Sequence, residues 1–227
     1  NEENLSQDFY DEAMEVFETI TRNYPDFSLS YYHLGFHYMN RKQYKKAEIT
    51  WKTCLEKGID EEKEMEILNK LSENNYKIEY EEGYVLVLNG KPIEALEKLL
   101  PLVEKYPEWW NLLFFIGLAY RYLREYETAL SYFKRAHNIK PSQVDILNEI
   151  GLCYISLGNV DDSIRYFKRA VNLKEDSPDI LCNLGTAYME KGDLDKAKEY
   201  IMKSYELNPY DEITRVWIKK LGSLNNN

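Results

Sequence analysis

Gly117, Gly151 and Gly185 stand 34 residues apart, and each heads the same order of residue types. An aliphatic residue precedes each glycine (Ile116, Ile150, Leu184), and a tyrosine follows three residues later (Tyr120, Tyr154, Tyr188). Twelve residues after the glycine comes a small residue: Ala129, Ser163, Ala197. Four further on stands a large apolar one (Phe133, Phe167, Ile201), and three beyond that another small one (Ala136, Ala170, Ser204). Pro141 and Pro209 close two of these stretches, with Glu175 in that place in the third. A fixed period of this length means one supersecondary unit repeated, each copy burying its apolar face by stacking on its neighbours.

The frame extends backwards. Gly83 heads a unit with Ala95, Leu99 and Pro107, and Gly35 heads another with Leu34, Tyr38, Ala47, Trp51 and Cys54. One period before Gly35 falls Asn1, and Ala13, Phe17, Ile20 and Pro25 fill the second half of a unit lacking its first helix. Within each unit the apolar steps of three and four residues predict two amphipathic helices. The glycine and the small residues mark where the two helices approach closely, and the large residue fills the space between them. Gly90, Gly158 and Gly192 are placed to end first helices in the left-handed conformation. Pro92 then starts the next helix, where its missing N–H costs little.

This pattern resembles the tetratricopeptide-repeat (TPR) family over roughly nine-tenths of the chain, by the periods just counted. The resemblance implies an all-α fold, a right-handed superhelical solenoid of TPR helix pairs. The frame divides one solenoid domain into a partial repeat at 1–27, a repeat at 28–59 and an insertion at 60–75. Repeats follow at 76–109, 110–143, 144–177 and 178–211, then a capping helix and tail at 212–227. About a dozen helices and no sheet are expected.

Two stretches depart from the frame. Gly35 and Gly83 are 48 residues apart, and the surplus lies in Asp60 to Asn75. Asp60 can cap a helix there, with Glu61 and Glu62 in its first turn and Met65, Leu68 and Leu71 as its apolar stripe. The segment reads as a short extra helix or as a forward extension of the next one, and the poor propensity of Asn74-Asn75 favours a break. In the unit that follows, Glu79 and Glu82 occupy positions that are Leu or Ile elsewhere, so its packing is expected to be irregular. The segment from Tyr210 to Leu221 reads as a capping helix, apolar at Ile213, Val216, Trp217 and Leu221 and wet at Lys219 and Lys220. Disorder is expected from Gly222 onward.

Charge and composition narrow the function. Lys and Arg number 29 against 39 Asp and Glu, a formal charge of −10, which disfavours nucleic acid and anionic membranes as partners. No apolar run is long enough to span a bilayer, and no signal peptide is visible. Cys54, Cys153 and Cys182 are odd in number and lack metal-site spacing, so a reducing, cytoplasmic setting is expected. His33 and His37 have a helical metal-binding spacing but no third ligand in sequence, so no metal and no cofactor are expected. Carboxylates fall on solvent faces and helix starts, and no phosphate-binding or hydrolase motif occurs, so the chain reads as non-catalytic.

In the TPR family the first helices line a concave, peptide-binding groove. The resemblance carries that role onto Tyr32, His33 and Phe36, then Tyr80, Glu81 and Tyr84, then Phe114, Phe115, Leu118 and Arg121. Asn148, Glu149 and Leu152 follow, then Cys182, Asn183 and Thr186, with Asn111, Asp145 and Asp179 also facing inward. Some members clamp acidic C-terminal tails with Lys, Arg and Asn. Here only Asn148 and Asn183 match that clamp, so it is not carried over. The expected function is a protein–protein interaction module, a scaffold or adaptor holding a basic and hydrophobic segment of a partner polypeptide in the groove. Self-association, including a homodimer, and a helper role beside an upstream enzyme or chaperone are the alternatives.

Overall fold

The computed structural model describes residues 2–224, with side chains from 11 to 222. The described residues form twelve α-helices and no strand. In order they are α1 (Glu2–Asn23), α2 (Ser28–Asn40), α3 (Tyr44–Lys57), α4 (Glu61–Leu88), α5 (Pro92–Lys105) and α6 (Trp110–Tyr122). Then come α7 (Tyr126–Ile139), α8 (Val144–Ser156), α9 (Val160–Leu173), α10 (Pro178–Lys191), α11 (Leu194–Leu207) and α12 (Glu212–Leu224). The chain divides into two compact units, residues 1–85 and 86–227.

In the first unit α1 packs on α2, and α2 pairs with α3. Trp51 of α3 is fully buried against Gly35 of α2, and its indole N–H donates to the Tyr32 carbonyl over 3.1 Å. A methyl group on Gly35 would lie 2.2 Å from the indole nitrogen, so only glycine fits beneath this ring. Asp60 caps α4 through its carboxylate and the Lys63 N–H, 3.1 Å apart, as its place in the sequence predicts.

The insertion is a forward extension of α4, not a separate helix, and Asn74-Asn75 makes no break in its 28 residues. Local side-chain bonds offset the low propensity of this pair. Asn74 is buried and its amide donates to the Lys70 carbonyl, Lys77 donates to the Asn74 amide oxygen, and Asn75 donates to Glu79. Of the two irregular carboxylates beyond it, Glu79 accepts the Asn75 bond just given, and Glu82 finds its partner on α3 together with neighbouring Glu81. Glu82 pairs with Lys45, and Glu81 accepts from the Lys45 backbone N–H over 2.9 Å, in the first turn of α3. Carboxylates there satisfy open N–H groups and the helix dipole.

In the second unit each helix from α5 to α12 packs on the next, and the alternate helices α6, α8 and α10 also touch. Phe133 and Phe167 are buried beneath Gly117 and Gly151, and Ala129, Ala136, Ala170 and Ala197 are fully buried. The small and large positions of the 34-residue frame thus meet as their spacing predicts.

Seven residues after each key glycine the chain takes a positive φ. Gly90, Gly158 and Gly192 fill that place in three units. Lys42 (φ 59°) and Arg124 (φ 63°) fill it in the other two, a strained choice for residues with a Cβ.

The last helix differs from expectation at two residues of its apolar face. Thr214 and Leu221 are its buried residues, with Trp217 and Ile218 packed beside them, whereas Ile213 and Val216 are about two-thirds exposed. Its outer side therefore carries these two apolar residues among exposed Glu212, Arg215, Lys219 and Lys220. The helix also continues through Gly222, and the expected disorder beyond Leu224 lies outside the described residues.

Candidate functional site

The face formed by the first helices of the second unit is built from residues at fixed offsets in α6, α8 and α10. Phe114 and Phe115 are half-buried on α6, with ring centroids 5.5 Å apart, and Phe114 also meets the core ring of Phe133 at 5.7 Å. Asn111 is half-buried on the same helix, and Asp145 and Asp179 are exposed at the starts of α8 and α10. Asn183 donates its side-chain amide to the Asn148 oxygen over 2.9 Å, joining α10 to α8.

The charges on this face are partly cancelled from within. Arg121 of α6 pairs with Glu149 of α8, nitrogen to oxygen 2.5 Å. Burial pushes the Glu149 carboxyl above its ordinary range, and the Arg121 charge offsets that only in part. Arg121 also lies over the Tyr122 ring, 5.0 Å from its centroid. Asp145 and Asp179 therefore supply the exposed negative charge, while Glu149 is spent on Arg121.

Two expected groove residues are core instead. Leu118 is 7% exposed and Cys182 is 5% exposed, so neither presents a side chain to a ligand. Cys182 is covered because Thr214 of α12 reaches it, and burial raises its thiol pKa. Cys54 and Cys153 are fully buried, and burial pushes the Cys153 thiol up to about 12, far from a reactive thiolate. All three cysteines are free.

Sequence reasoning missed one more step of this face. One period after Gly185 falls Lys219, so α12 occupies the frame of a further first helix. Exposed Ile213 and Val216 stand six and three residues before Lys219, the offsets of Asp179 and Cys182. Lys219 hides the frame because glycine marks it in every earlier complete unit. Counting one more period would have found it.

The first unit has its own aromatic cluster. Tyr32, His33 and Phe36 lie together on α2, with Tyr32 centroid distances of 5.0 Å to both of the others. Phe36 packs edge-on against Trp51, and Phe17 of α1 stacks on His33 at 5.1 Å and lies 5.5 Å from His37. The Tyr32 hydroxyl donates to Glu66 of α4, and burial with this bond raises its pKa to about 12. Tyr80 and Tyr84 are half-buried on α4 with centroids 5.5 Å apart, and burial raises both hydroxyl pKa values. Glu81 faces α3 rather than a groove, through the Lys45 bond already described. Among the described residues no group of three or more His, Cys, Asp or Glu could hold a metal ion, and no helix is long and apolar enough to cross a membrane.

Family models for tetratricopeptide repeats match residues 80–144, 151–192 and 178–211, together more than half of the chain. The chain belongs to the tetratricopeptide-repeat family. No curated protein matches its sequence significantly. Solved TPR structures resemble it in fold. The "APC/C hetero-tetramer Cut9-Hcn1" structure aligns with a TM-score of 0.65 at 15% identity over 96% of this chain, which spans 40% of that chain. YrrB, described as "a TPR protein with an unusual peptide-binding site", aligns with a TM-score of 0.61 at 18% identity over 91% of this chain and 99% of its own. The first TPR domain of Spaghetti (RPAP3), bound to the HSP90 peptide SRMEEVD, aligns with a TM-score of 0.50 at 17% identity over 52% of this chain and 94% of its own. The TPR fold of stacked helix pairs is therefore shared, and it is one that generally mediates protein–protein interaction.

Proposed function

We propose that this TPR chain is a non-catalytic interaction module that holds a segment of a partner polypeptide on its first-helix faces. The observation that carries this reading is the surface of α6, α8 and α10. It joins half-buried Phe114 and Phe115, the Asn148–Asn183 amide pair and exposed Asp145 and Asp179 within one unit. Aromatic anchors of this kind supply residence time, and exposed charges supply steering.

The partner segment is basic and hydrophobic. The one cation at the inward offsets of α6, α8 and α10, Arg121, is already paired with Glu149, so an acidic tail would meet Asp145 and Asp179 without compensation. That separates this surface from the Spaghetti domain and its SRMEEVD peptide. The amide pair suits the backbone of an extended or helical segment, because each Asn keeps donor and acceptor capacity beyond the bond it makes.

The test is a peptide-array selection on the intact chain at two salt concentrations, followed by anisotropy titrations with the selected peptides. Basic peptides with bulky apolar residues are expected, weakening as salt rises. Phe114→Ala should speed their release, and Asp179→Lys should slow their association. Enrichment of acidic peptides, or unchanged binding by Phe114→Ala, Phe115→Ala and Asp179→Lys together, would reject the reading.

A further inference from the structure

In the first unit a pocket of ≈ 290 Å³ is lined by Tyr32, His33, Phe36, His37, Asn40 and Glu66. Five of these six residues come from α2, and the sixth comes from the stretch that exceeds the 34-residue period. Glu66 lies on the first turns of α4, so the insertion turns an aromatic helix face into a pocket with a carboxylate at its edge. We propose that this pocket binds the ammonium group of a lysine side chain of the partner polypeptide. The proposal rests on the reading that first-helix faces hold such a partner.

Three features carry it. The walls are aromatic: the Tyr32 ring lies 5.0 Å from both His33 and Phe36 in T-shaped pairs, and rings of this kind attract a cation placed over their faces. The chain already places one of its own ammonium groups near this wall, with Lys63 Nζ 5.9 Å from the Tyr32 centroid. The local field is net negative: Lys63 is paired with Asp60, which leaves Glu61, Glu62 and Glu64 in the first turn of α4 beside Glu66.

The hydrogen-bonding capacity selects lysine over arginine. One oxygen of Glu66 accepts the Tyr32 hydroxyl, so a ligand must share the carboxylate with that bond. A guanidinium binds best when its planar fork takes both oxygens, whereas an ammonium is a point charge satisfied by one. Asn40 also lines the pocket, and its side-chain amide has an oxygen able to accept a further bond. The lowered pKa of His37, caused by burial and then by His33, leaves that ring uncharged at neutral pH, so it does not repel the cation.

The probe is Nα-acetyl-lysine N-methylamide, titrated into the intact chain while the ring signals of His33, Tyr32 and Phe36 are followed by NMR. Saturable shifts of these signals are expected, with the norleucine analogue giving none and the arginine analogue binding more weakly. Glu66 is exposed, so Glu66→Gln should leave the far-UV circular dichroism unchanged while weakening the lysine probe about tenfold. Equal binding of norleucine, tighter binding of arginine, or an unchanged affinity in Glu66→Gln would overturn the proposal. Polypeptides that bind and respond to Phe114→Ala while the probe leaves His33 unmoved would overturn the pocket alone. A probe that binds while no polypeptide binds anywhere would overturn the assignment to a partner lysine.

Discussion

Gly151→Ala tests the packing rule that generates the whole stack. A Cβ at position 151 would stand 2.5, 2.7 and 2.8 Å from three ring carbons of Phe167. Ordinary carbon contacts lie near 3.5–4.0 Å, so the ring must retreat by roughly 1 Å. It has little room, being 1% exposed and clustered with Ile164, Leu184, Ala187 and Ile201. Forcing extra volume into such a core costs about 1–3 kcal/mol. Alanine returns roughly 0.5–1 kcal/mol because glycine is a poor helix residue. The net loss is then up to about 2.5 kcal/mol and centred on about 1 kcal/mol, the central value being a fall in Tm of roughly 2–4 °C for a chain of this length. Gly222→Ala is the control. It lies in α12 with nothing within 4 Å of a new Cβ, so only the helix-forming gain remains. Thermal melts followed at 222 nm should order the variants Gly222→Ala, parent, Gly151→Ala from most to least stable. Adding Phe167→Leu to Gly151→Ala should cost less than the two single losses summed, because the leucine vacates space that the alanine fills. A Gly151→Ala chain that melts at or above the parent would refute the close-approach argument.

Four further outcomes follow from the structure. Ala170→Leu should cost on the order of 1–3 kcal/mol in a urea titration, because Ala170 is fully buried against Leu147 and Ile180. Arg124→Gly should raise the melting temperature slightly, since it relieves a left-handed backbone worth roughly 1–2 kcal/mol and offsets the entropy that glycine loses on folding. Thr214→Val should lower stability by about 1 kcal/mol in the same titration, because it removes the buried 3.0 Å bond to Ser204 while leaving the Ser204 bond to the Pro178 carbonyl. His37 and His137 both have pKa values lowered, burial being the main cause. The unfolded chain then binds more protons than the native one as pH falls through about 6.5, so their contribution to stability is lost with acidification and restored as pH rises. Melts between pH 7.5 and 5.5 should show that slope, and a slope unchanged in His37→Gln with His137→Gln would contradict it.

The helix pairs were legible because the constraint that makes them is local and periodic. Gly117 with Phe133 and Gly151 with Phe167 must meet whatever lies further along the chain, so spacing alone identifies them. What was not legible depends on partners distant in sequence. The continuity of α4 through Asn74 rests on bonds from Asn74 to Lys70 and from Lys77 to Asn74, which propensity does not record. Leu118 and Cys182 sit at groove offsets but are buried by their neighbours, and no residue type signals that. The pairing of Arg121 with Glu149 spans two helices and removes charge that the sequence counts as available. The positive φ at Lys42 and Arg124 was hidden because glycine, the residue that advertises it, is missing there.

The most direct test of the central claim is to map where a bound polypeptide lies. A peptide selected for tight binding to the intact chain would be added under saturating conditions, and amide hydrogen exchange compared with and without it. The account predicts added protection and shifted side-chain signals along α6, α8 and α10, centred on Phe114, Asn148 and Asn183, with α7, α9 and α11 unchanged. Protection confined to those second helices, or ring signals of Phe114 and Phe115 that do not move, would contradict it.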